Sequence, residues 1–175
     1  MAKPVSLTEI RNALGGMRDE LTNQLVKDFT KLGYEAIMFA YQRRGFKHRS
    51  RNLHDSYGSA VYVRGNLIRS SIRYVGGEVS RGEDPHSHQT GRQALHEFLE
   101  SNRFYASQGD IVVVCVAAMY YAQYLEQGRH RGAYEIQVIS AARDYLDYNW
   151  PNFISPQIKS FVVKGVRPKS GTYWG

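Results

Sequence analysis

Cysteine is almost absent: one residue, Cys115, in a chain of 175. A disulfide framework within the chain is therefore excluded, and the place of Cys115 inside an apolar run marks it as a small buried hydrophobe. No apolar run approaches the ~18 residues of a membrane span, and Met1-Ala2-Lys3-Pro4-Val5-Ser6 contains no signal-type apolar core, so a soluble chain made inside the cell is the expectation. Acidic charge is the minority sign, 16 Asp+Glu against 23 Lys+Arg, which leaves a net charge of +7 and a pI near 9.5. That balance favours polyanions, acidic proteins or a charged assembly as neighbours without choosing among them.

Recognisable catalytic patterns are missing as well. Neither G-x-x-x-x-G-K-[ST] nor G-x-S-x-G occurs, so phosphate-cradling and serine-hydrolase chemistry have no motif behind them. His86-Ser87-His88 places two imidazoles close together, but no Cys or carboxylate cluster stands at ligand spacing, and Glu83 and Asp84 share the same polar stretch. His54-Asp55-Ser56 holds the residue types of a triad; neighbours on an extended chain point to alternate faces and would not converge. Glu126 with His130 reads as a helix-end carboxylate followed by a loop histidine. No enzyme, no metal and no cofactor is expected.

What the chain does have is 42% apolar and 13% aromatic content, enough for one modest core. The stretch 110–132 organises the rest. Ile111 to Val116 is an unbroken, mostly β-branched run, which predicts a strand with covered faces. Ala118, Tyr121 and Leu125 then fall at helical spacing until Gly128, and Arg129-His130-Arg131-Gly132 makes a basic loop. Upstream, Ser6-Leu7-Thr8-Glu9 is an S-x-x-E capping box for a short helix with Leu7, Ile10 and Leu14 on one side, which Gly15-Gly16 should break or kink. Met17, Leu21, Leu25, Phe29, Leu32 and Ala36 predict a long amphipathic helix over 17–43, with Gly33 weakening it.

Alternation over 57–64 and 67–75 predicts an antiparallel hairpin turning at Gly65-Asn66, with one apolar and one wet face. Residues 76–91 form a long polar loop, 92–102 a short helix buried through Leu95, Phe98 and Leu99, and 134–148 a further helix ended by Trp150-Pro151. A shorter helical segment over 152–163 would follow. The fold class is α+β: a long N-terminal helix and C-terminal helices packed on a small antiparallel sheet made of hairpin 57–75 and strand 110–117. Residues 1–163 read as one domain with a loop insertion at 76–91, and 164–175 as an extended basic arm or a frayed end.

Three basic groups stand out. Arg43, Arg44, Lys47, Arg49 and Arg51 crowd into nine positions, as a solvated linker or a polyanion-facing loop. Lys164, Arg167 and Lys169 with Tyr173 and Trp174 mark the tail, and Arg129 and Arg131 the loop after the strand.

Two blocks carry a resemblance. Asn52-Leu53-His54-Asp55-Ser56-Tyr57, leading into the hairpin, resembles the G-N-L-x-x-S-I lead-in of the tail-completion or head-to-tail joining proteins of tailed bacteriophages, the group that includes lambda minor tail protein Z. Tyr120-Tyr121-Ala122-Gln123-Tyr124-Leu125-Glu126-Gln127-Gly128 is similar to that family's Y-A-x-Y-V-E-x-G signature. The blocks stand in the family's order and the likeness spans roughly residues 17–146. The matching positions are Asn52, Leu53, Ser56, Tyr121, Ala122, Tyr124, Glu126 and Gly128. The resemblance implies a virion structural subunit of the neck, a homo-oligomeric ring of six or twelve copies joining portal or adaptor to tail proteins, with passing DNA nearby and no membrane. A different reading is a free-standing nucleic-acid-binding protein that uses the basic cluster with Tyr57, Tyr62 and Tyr74 as stacking surfaces.

Overall fold

The computed structural model describes residues 7–42, 52–72, 88–104, 111–126 and 138–153. Within them the elements run α1 (Leu7–Gln42), α2 (Asn52–Asp55), β1 (Tyr57–Val63), β2 (Asn66–Ile72), α3 (Gly91–Ser101), β3 (Ile111–Ala117), α4 (Ala122–Glu126) and α5 (Val138–Phe153). The class is the α+β arrangement expected, with a three-stranded antiparallel sheet in the order β2-β1-β3.

The centre of that sheet is β1, not the apolar strand β3. Its residues are buried along nearly the whole length, so the hairpin has no single wet face there. Period-two alternation sends Tyr57, Ser59 and Val61 towards α1 and Gly58, Ala60 and Tyr62 towards α3. Gly33 and Gly58 mark the two crossings. A Cβ on Gly33 would come within 2.8 Å of Ser59 Oγ, and one on Gly58 within 2.7 Å of Leu95 Cδ2. Gly33 is thus the closest approach of α1 to the sheet rather than a weak spot in the helix. Two clusters result: Ala36, Ile37, Ala40, Tyr41, Tyr57, Met119, Val138 and Ala142 between sheet, α1 and α5, and Ala60, Tyr62, Leu95, Leu99 and Val116 beneath α3. β3 contributes to both from an edge. There Cys115 keeps part of its surface while packing on the first cluster, and burial pushes its thiol up to about 12.

Several boundaries differ from expectation for identifiable reasons. α1 runs unbroken through Gly15 and Gly16, because a glycine costs a helix roughly 1 kcal/mol without removing a hydrogen bond. The hairpin turns at Arg64-Gly65, whose φ values of 53° and 78° are both positive, as a type I′ turn requires; Asn66 already pairs with Val63. A bulge between Val61 and Tyr62 leaves Ile68 as the extra residue on β2, half exposed. α3 is capped as a Thr90–Gln93 capping box. α5 passes through Pro151 instead of stopping before it. The absent N–H falls in the last described turn, opposite the exposed residue Asp147, so the proline interrupts only the end of the hydrogen-bond ladder. Residues 73–87, including most of the expected loop at 76–91, and residues 110, 127–137 and 154–175 lie outside the described residues.

Candidate functional site

The two blocks that carry the resemblance are built as anchors for helix starts. In the first, Asn52, Leu53, His54 and Ser56 are all buried. Asn52 Oδ1 accepts from Gly91 N at 3.2 Å, tying the first residue of α3 to α2, and Gly91 lies so close that a Cβ there would overlap the Asn52 carbonyl. Ser56 Oγ donates to the Leu53 carbonyl at 2.7 Å and closes the turn into β1. In the second block, Glu126 reaches forward to α5. Its Oε1 accepts from Val138 N and Ile139 N, both at 3.0 Å, and its Oε2 from Ile139 N at 3.1 Å. These are donors that a helix N-terminus leaves unpaired, satisfied here by a side chain from outside the helix.

Opposing forces act on the Glu126 carboxyl. Burial favours its neutral form, while the backbone N–H groups of Ile139, Ser140 and Val138 favour the charged one; burial wins and raises it from 4.5 to about 7. Tyr57 stands close enough for the Glu126 charge to add to the burial that raises its phenol. Tyr57 Oη is buried without a hydrogen-bond partner among the described residues. Tyr62, by contrast, donates to the Leu99 carbonyl at 2.7 Å. Both rings are wholly buried, which overturns their use as base-stacking surfaces; Tyr74 lies outside the described residues.

The triad residues need a correction. Asn52–Asp55 is a helical turn, not extended chain, and His54 Nδ1 does meet Asp55 Oδ1 at 2.7 Å. Ser56 is engaged with Leu53, so the hydroxyl and the imidazole are not joined into a nucleophile–base pair. Among the described residues no group of His, Cys, Asp and Glu could hold a metal ion, and no helix is long and apolar enough to cross a membrane.

Of the motif positions, Ala122 and Glu126 are buried, Tyr121 is half-buried against the first cluster, and Tyr124 is exposed. Gly128 lies outside the described residues, as do Arg43, Arg44, Lys47, Arg49, Arg51, Arg129, Arg131, Lys164, Arg167, Lys169, Tyr173, Trp174 and His86.

The surface most at odds with the sequence pattern is the start of α1. Leu7, Leu14 and Met17, expected on a buried side, are 79%, 59% and 58% exposed. The helix face that carries them continues into the one that buries Leu32 and Ala36, but core covers it only from about Leu21 onwards. Tyr148 on α5, 80% exposed, is a further unburied side chain that the periodicity did not single out. Hydrophobic spacing locates a helix face without saying which chain covers it.

Comparison with protein-family models, with curated proteins and with solved structures gives no match.

Proposed function

We propose that this chain is a structural subunit of a tailed-bacteriophage neck, a tail-completion or head-to-tail joining protein that works by assembling into a ring between portal-side and tail-side proteins. The motif resemblance motivates the reading. The observation that carries it is the first four turns of α1: a helix with two adjacent glycines and a row of exposed apolar side chains at Leu7, Leu14 and Met17. An isolated helical stretch of this length is marginal in water, and the glycine pair costs it about 2 kcal/mol more. Such a row is stabilised by burial against another surface. On this reading the protein lends surfaces and transforms no substrate, and its address is the virion.

The test is the mass of the purified full-length chain by mass photometry and sedimentation. The expected result is a discrete closed multiple of the 20.0 kDa chain, together with restored joining when the protein is added to heads and tails made without it. A chain that joins no heads to tails, and that is instead found to turn over a substrate or cut DNA, would overturn the proposal.

A further inference from the structure

We infer that the projecting start of α1 in one copy of this chain docks on the outer face of α5 in the next. This deepens the ring proposal and rests on its premise that copies of the chain meet one another.

The α1 surface is an apolar row with a basic edge. At 100° per residue, Leu7, Leu14 and Met17 fall within about 80° of the helix circumference, and Arg11 and Arg18 flank that arc on one side. Both arginines are exposed. Arg18 holds its neighbour Asp19 at 3.0 Å with both side chains about two-thirds exposed, a surface pair of little energy that another acid can replace. Glu20 lies on the opposite flank from the arginines.

The α5 surface is the complement. Asp144, Asp147, Tyr148 and Pro151 lie within about 100° of arc and are all exposed. An aromatic ring with 80% of its surface open is thus edged by two carboxylates. Arg143, which approaches Asp144 at 3.7 Å, stands at the far margin of that strip. Apolar row meets exposed ring, and arginines meet aspartates. Charge of this kind sets register and partner choice more than raw affinity.

Geometry makes the contact intermolecular. α5 lies antiparallel against α1: the Phe39 and Tyr145 rings meet tilted at 4.8 Å between centroids, Tyr145 Oη donates to Glu35 at 3.2 Å, and Lys31 sits over the Phe153 ring at 5.7 Å. From Lys31 the continuous helix carries Leu14 about 25 Å further on, at 1.5 Å per residue. The row therefore projects past the described end of its own α5, on the side away from Tyr148, and cannot fold back onto it without breaking α1. Two different patches pairing between copies make a head-to-tail contact, which closes into a ring when the rotation allows.

The experiment uses full-length copies carrying single new cysteines, since Cys115 is largely covered by the first cluster and burial raises its thiol. Leu14→Cys protein is mixed with Tyr148→Cys protein under mild oxidation. The control mixture is Leu14→Cys with Glu100→Cys, on the exposed side of α3. The expected result is a covalent heterodimer in the first mixture at least about tenfold above the control. Arg11→Glu with Arg18→Glu on the Leu14→Cys copy abolishes that excess, and Asp144→Arg with Asp147→Arg on the Tyr148→Cys copy restores it. If the wild-type chain assembles but the two mixtures cross-link equally, this interface is wrong while the ring reading stands. If the chain stays at single-copy mass and neither mixture cross-links, the self-assembling ring and the interface fall together.

Discussion

Glu126 gives the sharpest quantitative test of the structure. Its carboxyl is buried and raised from 4.5 to about 7, so the folded state holds the proton more tightly than the unfolded chain does. The stability this contributes is fully present below pH 4.5, declines as the pH rises, and is gone above the folded value near 7. At 1.36 kcal/mol per pH unit, the interval is worth about 3 kcal/mol. Glu126→Gln is neutral at every pH and keeps an oxygen to accept from Val138 and Ile139. It should remove the decline and leave a variant more stable than wild type above pH 7. Glu126→Ala strands those N–H groups at a buried helix start, and should lie about 1–3 kcal/mol below Glu126→Gln at every pH, since neither variant titrates there. The assay is urea unfolding followed by far-UV circular dichroism and by the fluorescence of the two tryptophans between pH 4.5 and 8. Subtracting the Glu126→Gln profile from wild type cancels the other titrating groups. A difference that stays constant within about 0.5 kcal/mol across that range would refute the reasoning. It would mean that the backbone N–H groups at the start of α5 outweigh burial and keep the carboxylate charged throughout.

Three further substitutions probe the same framework. Gly91→Ala drives a methyl into the Asn52 backbone, which has no rotamer with which to yield, and should cost about 3 kcal/mol by thermal or urea unfolding; a near-neutral result would contradict the α2–α3 contact. Tyr57→Phe removes a buried hydroxyl without a described partner and should raise stability by about 1 kcal/mol, so a loss instead would reveal a bond to that oxygen. Arg64→Asn relieves a positive φ in favour of the Asn-Gly pair preferred in type I′ turns, for a gain of about 0.5 kcal/mol measured by the urea midpoint.

The class of fold was legible because its elements carry strong local patterns. Ile111–Ala117 reads as a strand from β-branching alone, and the spacing of Leu95, Phe98 and Leu99 announces α3. Sheet order was not legible, since the same apolar run suits an edge packed by two clusters or a centre covered on both faces, and only the pairing of Tyr57–Val63 with both neighbours decides. The turn was misplaced by one residue because Gly65-Asn66 and Arg64-Gly65 share the glycine, while the backbone demands positive φ at both central positions. At the site, the motif spacing gave the residues but not their work: Asn52 and Glu126 each reach a helix start far along the chain, 39 and 12 residues away. A side chain that caps a distant helix leaves no local signature. The basic clusters were conspicuous in the sequence, yet they lie outside the described residues, and the apolar row of α1 was read as core because periodicity is blind to what covers it.

Charge separates the assembly reading from nucleic-acid binding. Nine of the 23 Lys and Arg fall within the described residues against eleven of the 16 Asp and Glu, so that body carries −2 and the rest of the chain +9 of the total +7. The excess of positive charge that would attract phosphate belongs to those other segments. DNA affinity arising there would fall with salt by about 0.9 logarithmic units per contact per tenfold rise. The α1–α5 contact combines two arginines and two aspartates with apolar side chains whose burial salt does not screen, so assembly should survive salt that releases DNA. Replacing Leu14 and Met17 by aspartate acts on the other side of the division: it removes the row that copies share while the basic segments keep their charge. A variant that loses assembly and DNA binding together would tie the two functions to one surface, against the separation of charge along the chain.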